Sequence, residues 1–120
     1  MYYKSPTIGN EISCVMHGID HKKLEDTKKL EEKLLSALSE DKFDILGEVS
    51  HEFTPQGYTI AVLLAESHVA VHTYPEYNSL YFNLYSCRGD HDGEKTYELV
   101  KKYLKPKFVD FFERKVIVKK

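Results

Sequence analysis

Eight consecutive residues, Tyr58-Thr59-Ile60-Ala61-Val62-Leu63-Leu64-Ala65, carry no charge and are almost all apolar. A short run of that kind, rich in β-branched side chains, reads as a buried strand. Successive side chains of a strand point to opposite faces. This run therefore asks for cover on both faces of the sheet that contains it. The rest of the chain shows what cover exists. Residues 10–17 set Ile12, Cys14 and Met16 against Glu11, Ser13 and Val15, a period of two. Residues 44–53 read as a further strand, broken by Pro55-Gln56-Gly57. His68 to Tyr74, Leu80 to Cys87 and Phe108 to Val118 complete the set. Two stretches have helical spacing. In the first, about 22–40, Leu24, Leu30, Leu34, Leu35 and Leu38 face one way, with Asp20 as N-cap. In the second, Gly93 to Leu104, Tyr97, Val100 and Leu104 point inward and Pro106 ends the helix.

The order strand, helix, four strands, helix, strand predicts one α+β domain spanning residues 1–120. Short connections make neighbouring strands antiparallel, and two helices cover one sheet face. The other face is left with half of the apolar run, and Phe53, Tyr74, Tyr81, Phe82 and Tyr85 are expected to add to it. A bare apolar face marks an interface. The expectation is a homodimer with two sheets face to face, an αββα sandwich of four layers. The charge balance, 17 Lys and Arg against 19 Asp and Glu, argues against a general nucleic-acid binder. No segment approaches the roughly 20 apolar residues of a membrane span. Met1-Tyr2-Tyr3-Lys4-Ser5-Pro6 lacks the apolar core of a signal peptide, which points to the cytoplasm. Cys14 and Cys87 show no metal-ligand spacing, and a disulfide between them is not expected in a reducing compartment.

One stretch concentrates reactive groups. Glu66-Ser67-His68, followed by His72-Thr73-Tyr74-Pro75-Glu76, places an acid, a hydroxyl and two imidazoles among apolar strands. Such groups are costly to bury without partners. The residues alone leave two readings open, a polar hairpin with satisfied histidines or a reactive site. His68 and His72 share a strand face but stand too far apart to hold one metal without a third ligand, so no metal is expected.

Glu66-Ser67-His68, His72-Thr73-Tyr74-Pro75-Glu76 and Cys87 together resemble the prokaryotic S-adenosylmethionine decarboxylases. Phe53-Thr54-Pro55-Gln56-Gly57 upstream and Leu104-Lys105-Pro106 downstream extend the resemblance over about residues 9–118. It implies a precursor that cuts itself between Glu66 and Ser67, giving chains 1–66 and 67–120. Ser67 would become a pyruvoyl group, the cofactor that binds the substrate amine as a Schiff base. The same resemblance gives His72 the role of processing base and Cys87 that of proton donor. Where the family has a processing serine this chain has Thr59, which keeps the hydroxyl and adds a methyl. Phe53 would stack the adenine of S-adenosylmethionine, Glu76 would bind the ribose hydroxyls, and Ile8 would wall the site opposite Phe53. The product would supply aminopropyl groups for spermidine synthesis. Gly9-Asn10-Glu11 departs from the family's glycine, basic residue and histidine, which keeps pyruvoyl-dependent arginine or ornithine decarboxylation open as an alternative. A silent regulatory paralogue is a further one.

Residues 67 and 72 are five apart, so on one regular strand they face opposite ways. A dimer reconciles them if Ser67 and Cys87 come from one subunit and His72 and Thr59 from the other. Fusion of two such halves in the family's larger relatives implies the same.

Overall fold

A computed structural model describes residues 3–120. The reading of the first six residues falls partly on Met1 and Tyr2, which lie outside the described residues. Six strands form one sheet: β1 (Ile8–His17), β2 (Ile45–Glu52), β3 (Tyr58–Leu64), β4 (Ser67–Tyr74), β5 (Ser79–Ser86) and β6 (Phe108–Ile117). Their spatial order is β2-β3-β4-β5-β1-β6, and each neighbouring pair is antiparallel. Three helices, α1 (His21–Glu25), α2 (Thr27–Glu40) and α3 (Glu94–Leu104), supply the second layer.

The expected first helix is two helices. Asp26 adopts a non-helical backbone with ψ of 73°, and its side chain accepts the Lys29 N–H. Its own N–H still closes α1 onto Lys22. One short acidic side chain thus ends one helix and caps the next, the known preference of Asp for N-cap positions. Asp20 caps α1 as expected, accepting the Lys22 N–H.

The helices cover one face only. Ile12, Cys14 and Met16 of β1, Ile60, Val62 and Leu64 of β3, Val69 and Val71 of β4, and Leu80, Phe82 and Leu84 of β5 are all buried there. They pack against Leu24, Leu30, Leu34, Ala37 and Leu38 of the first two helices and Tyr97, Val100 and Leu104 of α3. Each fully buried large side chain contributes about 1.5–3 kcal/mol. Gly93 belongs to this core by necessity: it has φ of 92°, and a Cβ there would collide with Leu84 Cδ2.

Two expectations about the outer face need correction. Phe82 is fully buried on the helix side, because it pairs with Cys14 and Val71, both core residues. The outer face is also mixed rather than apolar. Val49, Ala61, Leu63 and Phe112 stand exposed on it, but Ser13, His68, His72, Tyr81 and Asn83 share it. The β3 run is therefore buried on alternate residues only, with Leu63 at 58% exposure in the single chain.

Candidate active site

The register sorts the candidate residues into two groups at opposite ends of the sheet. Ser67 opens β4 opposite Leu64, while His72 sits further along opposite Thr59. Five strand residues at about 3.3 Å each separate Ser67 from His72 by roughly 16 Å. Ser67 is buried toward the helices, and His72 lies half-buried on the outer face. Within one chain the two do not meet.

At the first end, β3 and β4 are joined by a two-residue turn, Ala65-Glu66. Glu66 is exposed and has φ of 65°, a left-handed conformation that costs an ordinary residue about 1–2 kcal/mol. Favoured two-residue hairpin turns instead have positive φ at their first or at both central residues. The Glu66–Ser67 peptide bond thus follows directly on a strained residue. The Ser67 hydroxyl accepts the Cys87 N–H at 3.2 Å, which brings the residue after β5 against the start of β4. Cys87 is half-buried and, like Cys14, a free thiol; the deep burial of Cys14 pushes its pKa up to about 12. The Tyr85 hydroxyl is raised above its usual range, first by its hydrogen bond with Cys87 and then by burial.

At the second end, the Thr59 hydroxyl and His72 Nδ1 lie 3.0 Å apart. With the proton on Nδ1 the imidazole donates to the Thr59 oxygen, and Nε2 is left free to accept a proton. Phe53, just past β2, is 52% exposed and meets His51 edge to face at 4.6 Å. Its loop, Phe53 to Gly57, lines a hollow together with Pro75, next to the exposed Glu76. Ile8, at the start of β1, lies four strands away from β2 and at the Ser67 end. At about 4.8 Å per strand that is roughly 19 Å, so Ile8 does not wall Phe53 within one chain.

Three contributors at the Ser67 end were missed by the sequence reading. Tyr85 lies over Gly9: a Cβ there would approach the Tyr85 hydroxyl oxygen to 2.8 Å and the Ser86 carbonyl oxygen to 2.7 Å. A glycine inside a strand pattern is the signal that could have found this close approach. Arg88 and Asp92 form an ion pair with Nε to Oδ2 at 2.7 Å, a spacing of four that had no helix to advertise it. The departure Asn10-Glu11 is also placed. Asn10 is buried toward the helices and donates to the Asp92 carbonyl and to Glu113, while Glu11 meets Arg114 across β1 and β6.

The fold, one antiparallel sheet with helices on one face, is shared with solved decarboxylases. The adenosylmethionine decarboxylase of Aquifex aeolicus superposes with a TM-score of 0.87 over 97% of this chain and 96% of that one, at 24% identity. A Trypanosoma brucei AdoMetDC monomer matches at 0.62 over 85% of this chain and 44% of its own, at 16% identity. The sequence profile of the S-adenosylmethionine decarboxylase family matches residues 10–115. S-adenosylmethionine decarboxylase proenzymes of Sulfurihydrogenibium sp. and Thermotoga maritima are 33% and 31% identical, covering 87% and 89% of this chain and 78% and 82% of theirs. The chain belongs to the S-adenosylmethionine decarboxylase family.

Proposed function

We propose that the chain is the self-cleaving precursor of a pyruvoyl-dependent S-adenosylmethionine decarboxylase that works as a homodimer. The observation that carries this reading is the Ser67 hydroxyl, held by the Cys87 N–H directly behind the left-handed Glu66. Family membership favours the nucleoside substrate over arginine or ornithine, and cytoplasmic polyamine synthesis is the corresponding setting. Among the described residues no helix is long and apolar enough to cross a membrane.

The chemistry starts from Ser67. Its Oγ attacks the Glu66 carbonyl carbon, the C–N bond breaks, and an ester with a free amine results. A base then removes the α-proton of residue 67, the Cβ–Oγ bond breaks, and Oγ leaves as one oxygen of the Glu66 carboxylate. The remaining dehydroalanine takes up water and releases ammonia to leave the ketone. His72, oriented by Thr59, is the base for this sequence, an arrangement in which a second group fixes the catalytic tautomer. The site fits the group formed: residue 67 is small, buried and held in the β3–β4 ladder, so β4 stays in place when the turn is cut. The ketone, once formed, serves as electron sink for loss of carbon dioxide. Cys87, beside residue 67, then returns a proton to the substrate carbon.

The distance of roughly 16 Å between Ser67 and His72 requires the base to come from a second copy. The exposed Val49, Leu63 and Phe112 supply apolar area for that contact, and the polar groups among them set its register. Antiparallel apposition of two outer faces lays the Ser67, Cys87 and Ile8 end of one copy over the Thr59, His72, Phe53 and Glu76 end of the other. Ile8 then walls Phe53 across the interface. Release of labelled carbon dioxide from S-adenosylmethionine, with chain 67–120 blocked at its amino terminus, is the expected result. Release from arginine or ornithine alone would overturn the substrate.

A further inference from the structure

Cys87 is flanked by a set of charged and polar groups that the cleavage chemistry does not use. The Arg88 guanidinium donates from Nε to Asp92 Oδ2 at 2.7 Å and from Nη2 to Asp92 Oδ1 at 3.2 Å. Its Nη1 donates to the Lys42 carbonyl at 2.8 Å and its Nη2 to the Asp41 carbonyl at 2.9 Å, just past the end of α2. The guanidinium carbon Cζ lies over the Phe43 ring, 3.6 Å from its centre. Asp92 Oδ2 also accepts the Ser86 hydroxyl, and the Ser86 oxygen in turn accepts the Arg88 N–H at 3.1 Å. The Asp92 carbonyl accepts Asn10 Nδ2 at 2.9 Å, which ties the loop to β1. Asp41 completes the frame by accepting both the N–H and the hydroxyl of Thr96 in α3. The residues on either side of Cys87 are thus fastened to α2, α3 and β1.

The precursor needs this frame less than the cut protein does. Before cleavage the Cys87 N–H is tethered to Ser67 Oγ at 3.2 Å. In the chemistry above that oxygen departs with the Glu66 carboxylate, so the tether disappears as the cofactor forms. No atom of the Arg88–Asp92 frame reacts. We propose that Arg88 and Asp92 are positioning residues that hold the Cys87 thiol at residue 67 after the chain has been cut. The proposal rests on the reading of Cys87 as proton donor. A bidentate guanidinium stacked on an aromatic ring is suited to the task, because lysine reproduces neither the fork nor the stacking. If the thiol is held loosely, the proton can land on the carbon that was the ketone. Residue 67 then keeps the substrate nitrogen and becomes alanine, while the substrate departs as an aldehyde with an oxygen from water.

Two measurements test this separately. The first uses the uncut Ser67→Ala precursor, which lacks the same oxygen as the mature protein, and follows alkylation of Cys87 by iodoacetamide. Adding Asp92→Asn or Arg88→Lys is expected to speed alkylation by about tenfold or more, the weight of one charge-assisted hydrogen bond. The second uses the cut enzyme on S-adenosylmethionine. The same changes should leave self-cleavage intact, lower kcat on the order of 10–100-fold at little-changed KM, and raise the fraction of alanine at residue 67 per carbon dioxide released. Unchanged alkylation and unchanged alanine formation would overturn the positioning role, even with a lowered melting temperature. Faster alkylation without more alanine, in step with a Cys87→Ser enzyme that also forms none, would overturn the reading of Cys87 on which the proposal stands.

Discussion

The two ends of the sheet hold different kinds of chemistry. At one end Ser67 and Cys87 are joined backbone to side chain next to a left-handed residue, with no imidazole hydrogen-bonded to either among the described residues. At the other, the Thr59 hydroxyl and His72 Nδ1 lie within hydrogen-bond distance, next to an exposed aromatic ring and an exposed acid. Each end lacks what the other has. In the proposed homodimer, a second copy brings together the reactive group and the base that one chain keeps apart.

Removing the reactive group should produce the largest contrast. Ser67→Ala is expected to abolish cleavage outright, leaving one intact chain by denaturing mass spectrometry, with the second end undisturbed. Next in size, His72→Ala should slow maturation on the order of 10²–10⁴-fold, the usual weight of a general base. The chain should stall as the ester, which hydroxylamine splits. A His72→Ala chain that matures at the native rate would dissolve the division between the two ends.

Smaller effects should fall on substrate binding alone. Phe53→Ala removes the stacking platform and is expected to raise KM about 5–150-fold, from the roughly 1–3 kcal/mol of a base stacked on an aromatic ring. Cleavage should continue unchanged, because Phe53 supplies no group to the cleavage chemistry. The smallest effect belongs to Cys14. Burial raises its thiol from 9.0 to about 12, so the folded state holds the proton more tightly than the unfolded chain. Its contribution to stability is complete below pH 9 and is lost as pH rises from 9 toward 12. Cys14→Ala should flatten the alkaline limb of a denaturation profile.

Much of this arrangement was legible in the chain. Period-two alternation in residues 10–17 gave the correct inward set, Ile12, Cys14 and Met16, since the core needs one apolar face per strand. The parity of Ser67 and His72 already required that they face apart. What could not be read was whatever depends on long-range register. Phe82 looked like an outer aromatic until pairing with Cys14 put it in the core. The Asp26 break was hidden because a capping aspartate inside a leucine-rich stretch looks like any other solvent-facing acid. The clamp on Cys87 joins Arg88 to carbonyl groups 46 and 47 residues away, a contact no local pattern encodes.

Co-expression of two dead chains tests the shared site most directly. A tagged His72→Ala chain keeps Ser67, and a Ser67→Ala chain keeps His72; neither should mature efficiently alone. In a mixed dimer the tagged chain meets an intact His72 on its partner. It is expected to be cut into residues 1–66 and 67–120 when the two are produced together, while the Ser67→Ala chain stays whole. A tagged chain that remains uncut in verified mixed dimers would contradict a site assembled from two copies.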